Sequence, residues 1–378
     1  MSDDTVSLER VAGLVNAHTH AAMTLFRGYA DDLPLMEWLE RYIWPAERRL
    51  EADDVYWGAR LACVEMIRTG TVRFWDMYWQ PGATARAVRD AGLRAVIGAP
   101  LIDGGDPAKS PNLREAAERS LEEIAEGGED AVEAALAPHA IYTVSQRSLR
   151  WIGETAAERG LPVHIHLSET EDEVERCVSE HGYRPAAYLD RLGLLGPRTM
   201  LAHCVWLDQA ELELIAERGA TIATNPVANL KLAVGRAFDY RAARAVGVEI
   251  GLGTDGAGSN NSLDLLADAK AFALIQKHEA RDPASPTAEE VWEIATGQRS
   301  RLLDLAGSDG DTHILVRRSS PELSLGDLTA GLVYAASGSA VDTTVVDGRE
   351  LMRGGEVEGA DEVVARARER AERLGLVG

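Results

Sequence analysis

Short apolar runs recur along this chain at 11–18, 71–76, 94–101, 132–138, 162–167, 199–205, 221–227 and 249–254, and the stretches between them carry apolar residues at helical spacing instead. Helices are predicted over 52–69, 83–91, 146–159 and 208–218, with Gly70, Gly92, Gly160 and Gly219 as their stops. Eight strands alternating with helices make the pattern of a parallel barrel. The 378 residues leave room for a barrel of roughly 250 residues and a smaller unit. The expected fold class is therefore α/β, a (β/α)8 TIM-like barrel.

Past residue 306 the texture changes. Strand-like pieces around 312–317, 331–335 and 341–346 precede a charged helical tail from Asp361. This predicts a barrel over 11–306, with 1–10 and 307–378 supplying a small β unit and a C-terminal helix. Loops are expected at Asp103-Gly104-Gly105 and from Gly307 to Asp311.

The chemistry-bearing residues fall at the far ends of the predicted strands: His18, His20, Asp76, His139, His166, His203, Asn225 and Asp255. In such a barrel that end carries the active site. The first run ends His18-Thr-His20, and strand alternation would put both imidazoles on one side, spaced to share a metal. A second such pair is His164 and His166, whereas nine histidines placed at random would give about 0.2 pairs of this kind. Three residues beyond His166, Glu169 offers a carboxylate that partial burial would tune toward neutrality for proton transfer. His203 and Asp255 add an imidazole and a carboxylate from two further strands. Nitrogen and carboxylate ligands without thiolate, with a position left for water, describe a catalytic zinc; ligand type alone does not separate zinc from Fe2+ or another divalent ion.

Composition narrows the partners. The net charge of −22 disfavours a nucleic-acid partner and acidic substrates. No apolar stretch reaches the length of a membrane span and the polar start MSDDTVSLER does not read as a signal peptide, so a soluble, cytoplasmic protein is expected. Cys63, Cys177 and Cys204 lie far apart without CxxC spacing and read as small buried hydrophobes.

The strand-end motifs His-Thr-His, His-x-x-Glu, Ala-His-Cys and Thr-Asp-Gly resemble those of the amidohydrolase superfamily over about residues 11 to 306. Longer runs, HTHAAMTLFRGYADDLPLMEWLE, PHAIYT, NPVANLKLA and GTDGAGSNNSLDL, are similar to the group of deaminases acting on methylthioadenosine, S-adenosylhomocysteine and 5'-deoxyadenosine. The resemblance implies one Zn2+ held by His18, His20, His166 and Asp255, with Glu169, His203 and Asp255 acting on water and substrate. The choice of His166 over His164 follows the family pattern, and a role for His164 behind the ligands stays open. The resemblance further implies that Glu47 holds ribose hydroxyls, that His139 faces a purine ring, and that Trp38 and Ser259 contribute to the substrate site. The implied substrate is a small purine nucleoside or related ring amine, and relatives that are dimers or tetramers point to a homo-oligomer.

The family pattern is broken in places. Only about ten residues precede the first barrel strand, so the small β unit is expected to be incomplete. Ala12, Ile141 and Thr224 stand where proline, proline and histidine are usual. Strand 4 ends Leu136-Ala-Pro-His139 without the lysine that bridges two metals in some relatives, which favours a single metal. Strand 3 ends Ala99-Pro100 without the arginine expected to grip an amino-acid carboxylate, so a neutral adenosine derivative is expected over S-adenosylhomocysteine. Two rivals remain in view: the same fold acting on guanine, a pterin or a triazine, and a catalytically silent paralogue that binds a ligand or partner.

Lysine occurs only at positions 109, 231, 270 and 277 while carboxylates abound, a composition suited to concentrated salt, where screening relieves self-repulsion. The expected host is a halophile. The unfolding midpoint should then rise from dilute buffer to molar salt, and greatest stability in dilute buffer would contradict this.

Overall fold

The computed structural model describes residues 7–128, 131–304 and 311–377. The first strand, β1 (Leu8–Val11), belongs to a separate small sheet. From there the chain builds an eight-stranded parallel sheet in sequence order: β2 (Leu14–Thr19), β3 (Thr71–Met77), β4 (Arg94–Leu101), β5 (Val132–Pro138), β6 (Val163–Leu167), β7 (Thr199–His203), β8 (Thr221–Thr224) and β9 (Glu249–Leu252). The predicted apolar run 11–18 is thus divided between two sheets. At the break, a Cβ on Gly13 would lie 2.5 Å from Val72 Cγ1, so the chain crosses β3 at a distance only glycine allows.

The end strands β2 and β9 meet through a side-chain seam. Asn16 Oδ1 accepts the Thr254 N–H at 3.1 Å, Asn16 Nδ2 donates to Thr254 Oγ1 at 2.8 Å, and the Asp255 N–H donates to His18 O at 3.0 Å. One buried amide thereby stands in for a ladder; leaving such a backbone donor unpaired would cost about 1–3 kcal/mol. The interior below the seam is plugged by Val15, Ala17, Trp75, Val96, Met200 and Leu303, with smaller alanines between them. Outward-facing strand residues pack with the surrounding helices into the main core.

The helices follow the periodicity closely, as Ala52–Arg68, Pro81–Ala91, Gln146–Arg159 and Gln209–Arg218. Asp208 and Ser145 cap two of them by accepting from Glu211 N and Ser148 N. The C-terminal helix Ala360–Leu374 joins the barrel through a second apolar cluster with Phe26, Trp38, Ile43 and Ala46. Arg373 Nε donates to the buried carboxylate of Asp54 at 3.1 Å, anchoring that helix beside the segment that carries Glu47.

The small sheet is antiparallel, in the order β1, β10 (His313–Arg317), β11 (Val341–Val346) and β12 (Arg349–Met352). One expectation is corrected here: 331–335 is not a strand but part of the helix Leu328–Tyr334. Asp327 caps it by accepting from Ala330 N at 2.8 Å, and Leu328 and Leu332 share its apolar face one turn apart. Five apolar residues are too few to separate a period of 2 from one of 3.6. The expected loop from Gly307 lies outside the described residues up to Gly310. Among the described residues, no helix is long and apolar enough to cross a membrane, and the three cysteines are buried and free.

Candidate metal centre and substrate cavity

Four of the strands that end at the barrel mouth, β2, β6, β7 and β9, deliver polar groups to a common point. His18 is the fifth residue of β2 and fully buried, and His20 follows directly after the strand. His166 stands near the end of β6, His203 ends β7, and Asp255 lies three residues past β9. His20 Nε2 is 3.3 Å from Asp255 Oδ1 and 3.3 Å from His166 Nε2, while His18 Nε2 is 3.5 Å from Asp255 Oδ1. The donor atoms of His18, His20 and His166, and those of His18, His203 and Asp255, lie within 4.8 Å of one another.

The tautomers make this arrangement informative. His20 Nδ1 donates to Met77 O at 2.5 Å and His166 Nδ1 donates to His139 O at 2.8 Å, so in each neutral ring the Nε2 atom carries the lone pair. His18 Nε2 is buried and has no hydrogen-bond partner. Several lone pairs and a carboxylate oxygen therefore face one another with no proton to share, and such a set fits a cation that accepts nitrogen and oxygen donors, as zinc does.

The electrostatics agree with that fit. Burial pushes His18 down to about 3, and holds His166 well below the ordinary imidazole range, so both present free lone pairs at neutral pH. Burial alone would raise Asp255, but the imidazoles of His18, His20 and His203 outweigh it and hold the carboxyl below its usual range. Ser259 Oγ donates to Asp255 Oδ2 at 2.6 Å, so this residue, expected on the substrate side, is spent on the carboxylate although it also lines the cavity.

Backbone strain accompanies these positions. Ser168, His203, Cys204 and Asp255 all have left-handed φ, at 50°, 69°, 54° and 60°. Neighbouring groups hold them there. The Cys204 N–H donates to Leu167 O at 2.9 Å and the Trp206 N–H to Ser168 O at 2.8 Å. Both oxygens of Glu173 accept backbone N–H groups at 2.9 Å, from Ser168 and Glu169. Glu173 was missed in the sequence, yet Thr170 and Glu173 carry the spacing of a helix-start box just after Glu169, a signal that could have found it.

Above the cluster a cavity opens toward solvent. Glu169 is buried at its edge, raised by burial and by Asp255 while His203 opposes the rise. For His203, burial works against the charge, but Glu169, Asp255 and a hydrogen bond of 2.8 Å to Asn229 Oδ1 outweigh it and raise the ring. Glu47 faces the same cavity from the short helix Trp44–Glu47; its Oε2 accepts from Trp79 Nε1 at 3.0 Å and burial raises its carboxyl. His139 lines it as well, pushed down to about 4 by burial, with Nδ1 bonded to Thr143 Oγ1 at 2.9 Å. Trp38 forms part of the wall and donates from Nε1 to Tyr29 O at 3.3 Å. Trp79 and Tyr142 also line the cavity and were not singled out in the sequence, where nothing distinguishes them from core aromatics.

The family model described as "Amidohydrolase family" matches residues 11–351. The chain is 48% identical over 368 residues to the 5'-deoxyadenosine deaminase of Methanoregula boonei, covering 96% of this chain and 83% of that one. It is 43% identical over 375 residues to 5-methylthioadenosine/S-adenosylhomocysteine deaminase 1 of Archaeoglobus fulgidus, covering 96% and 88%. Among solved structures it is similar to an adenosine deaminase from Xanthomonas campestris with bound zinc, at 33% identity and a TM-score of 0.87, covering 98% of this chain and 87% of that one.

Chelator-treated protein reloaded with zinc is expected to hold about one equivalent, measured by elemental analysis after dialysis. His166→Ala should leave only a small fraction of it. Full zinc retention by that variant would remove His166 from the ligand set.

Proposed function

Because the chain belongs to the amidohydrolase family, we propose that it is a zinc-dependent hydrolytic deaminase of an adenosine-type nucleoside, giving the inosine-type product and ammonia. The observation that carries this reading is the meeting of three imidazole Nε2 atoms and the Asp255 carboxylate at the floor of a cavity that also holds the buried carboxyl of Glu169. Relatives at 40–48% identity bear the names of 5'-deoxyadenosine and methylthioadenosine/S-adenosylhomocysteine deaminases, which supports the substrate class.

His18, His20, His166 and Asp255 are the residues that would hold zinc. Bound there, the ion supplies the Lewis acidity that brings water within reach of deprotonation near neutral pH. His203 and Asp255 orient the attacking water and take up its proton. Glu169 delivers a proton to the ring nitrogen beside the carbon that bears the amino group, because the ring would otherwise gather uncompensated negative charge as the water oxygen adds. The raised carboxyl of Glu169 suits this, since burial favours the protonated form that has a proton to give. The carbon–nitrogen bond then breaks: the amino group takes the proton that His203 and Asp255 removed from water and leaves as ammonia, while the added hydroxyl becomes the ring carbonyl as its proton passes to Glu169, and the ring nitrogen keeps the proton it received.

Glu47 is the group for the ribose hydroxyls: when ionised, an acceptor-only carboxylate that lines the cavity with one oxygen steadied by Trp79. Much of the cavity wall is apolar, with Leu35, Leu39, Ile43, Trp44, Pro100 and Ile102, and among the described residues no lysine or arginine lines it. A neutral, apolar 5' substituent is favoured there over one carrying a charged amino-acid group. The net charge of −22 supports a cytoplasm of high salt as the setting and argues against a nucleic-acid partner.

Two outcomes are expected. In zinc-loaded protein, Glu169→Gln should keep its metal and lose ~10²–10⁴-fold in kcat, followed by the ultraviolet change on adenosine deamination; near-parental turnover would remove Glu169 from the mechanism. In a panel of adenosine, 5'-deoxyadenosine, methylthioadenosine and S-adenosylhomocysteine, kcat/KM should be lowest for the last by about tenfold or more, and Glu47→Ala should chiefly raise KM. Ammonia release only from guanine, a pterin or a triazine would replace the substrate class, and no turnover of any ring amine would leave a binding paralogue.

A further inference from the structure

His164 belongs to the same His-x-His pair as His166, yet its ring is turned into the barrel. It is fully buried, packed edge-on to Trp75 with ring centres 5.6 Å apart. Its Nε2 lies 2.8 Å from His18 Nδ1, with the two rings at 89°. It is absent from the groups of donor atoms that converge on the candidate metal point.

We propose that His164 is a positioning residue for the metal centre, fixing the tautomer and the aim of His18 through the bond between His18 Nδ1 and His164 Nε2. The inference rests on the zinc reading above and extends it to a residue that no ligand motif includes. A neutral imidazole carries one ring proton. If His18 Nε2 is to offer its lone pair to an ion, that proton must sit on Nδ1, where the acceptor in place is His164 Nε2.

The other two imidazoles are supported differently. His20 and His166 donate to the main-chain carbonyls of Met77 and His139, acceptors that no side-chain substitution removes. His18 leans instead on a side chain, so its support is set by the identity of one residue. Outer-shell partners of this kind orient the ligand and raise its basicity, and their loss costs on the order of 10–100-fold in metal affinity.

The test measures zinc affinity by competition with a chromophoric chelator, together with the visible spectrum of the cobalt-substituted protein. His164→Leu fills the space without an acceptor, whereas His164→Gln places an amide oxygen where Nε2 stood. The leucine variant should bind zinc ~10–100-fold more weakly with a shifted cobalt band, and the glutamine variant should recover most of the affinity. Unfolding midpoints of the metal-free proteins identify a variant that fails to fold. If leucine does fail, His164→Asn carries the comparison, since its shorter amide cannot reach His18, and it should show the same weakening. Parental zinc affinity and an unchanged cobalt band in the leucine or asparagine variant would overturn the assignment of His164 alone. A parent protein that takes up no zinc would overturn the metal reading, and this inference with it.

Discussion

The structure turns on an electrostatic conflict that the fold itself creates. Imidazole lone pairs from the ends of β2 and β6 and a carboxylate from beyond β9 are held 3.3–3.5 Å apart at the mouth of a barrel, largely buried beneath the cavity. Without a cation such a set repels itself, and the fold sustains it only because each ring is pinned from behind. Met77 O, His139 O and His164 Nε2 receive the three Nδ1 atoms, and Ser259 and Gly256 N tie the two oxygens of Asp255. The proposed metal resolves a repulsion built in advance, which is what preorganisation for a cation means physically.

The backbone bears a share of that cost. Four non-glycine residues beside the point of convergence take left-handed φ, each at the exit of a barrel strand. A strand alone would send its last side chains alternately inward and outward, so these turns let His203 and Asp255 reach the axis and send the chain on to its next helix. The turns are stabilised by groups from other elements, notably the Glu173 carboxylate, which gathers two successive N–H groups at Ser168 and Glu169. Stability of the barrel and alignment of the candidate catalytic groups therefore share the same hydrogen bonds.

Above the barrel a different part of the chain shapes the cavity. The segment between β2 and the helix Ala52–Arg68 contributes Leu35, Trp38, Ile43, Trp44 and Glu47, and it is braced from outside by the C-terminal helix. The reacting centre is thus set by strand ends, while the groups facing the remainder of the substrate come from an irregular segment with its own small core. That division lets the wall near Glu47 change without moving the metal point.

By itself the sequence determined the periodic and the local. Alternating apolar runs announced eight strands and their helices, because burial on both faces of a parallel strand leaves an uninterrupted apolar signature. The candidate residues His18, His20, His166, Glu169, His203 and Asp255 stood out in the sequence because they lie at or just beyond the ends of those runs. Where the signal was short it failed: residues 331–335 read as a strand and form a helix, since five apolar positions fit either period. Tertiary structure alone decided which atom of each imidazole faces the common point, that His164 turns inward to His18 while His166 turns to the cavity, and that Ser259 serves Asp255. These depend on carbonyls and side chains distant in the chain, and tautomers and rotamers are chosen by three-dimensional neighbours that no local spacing encodes.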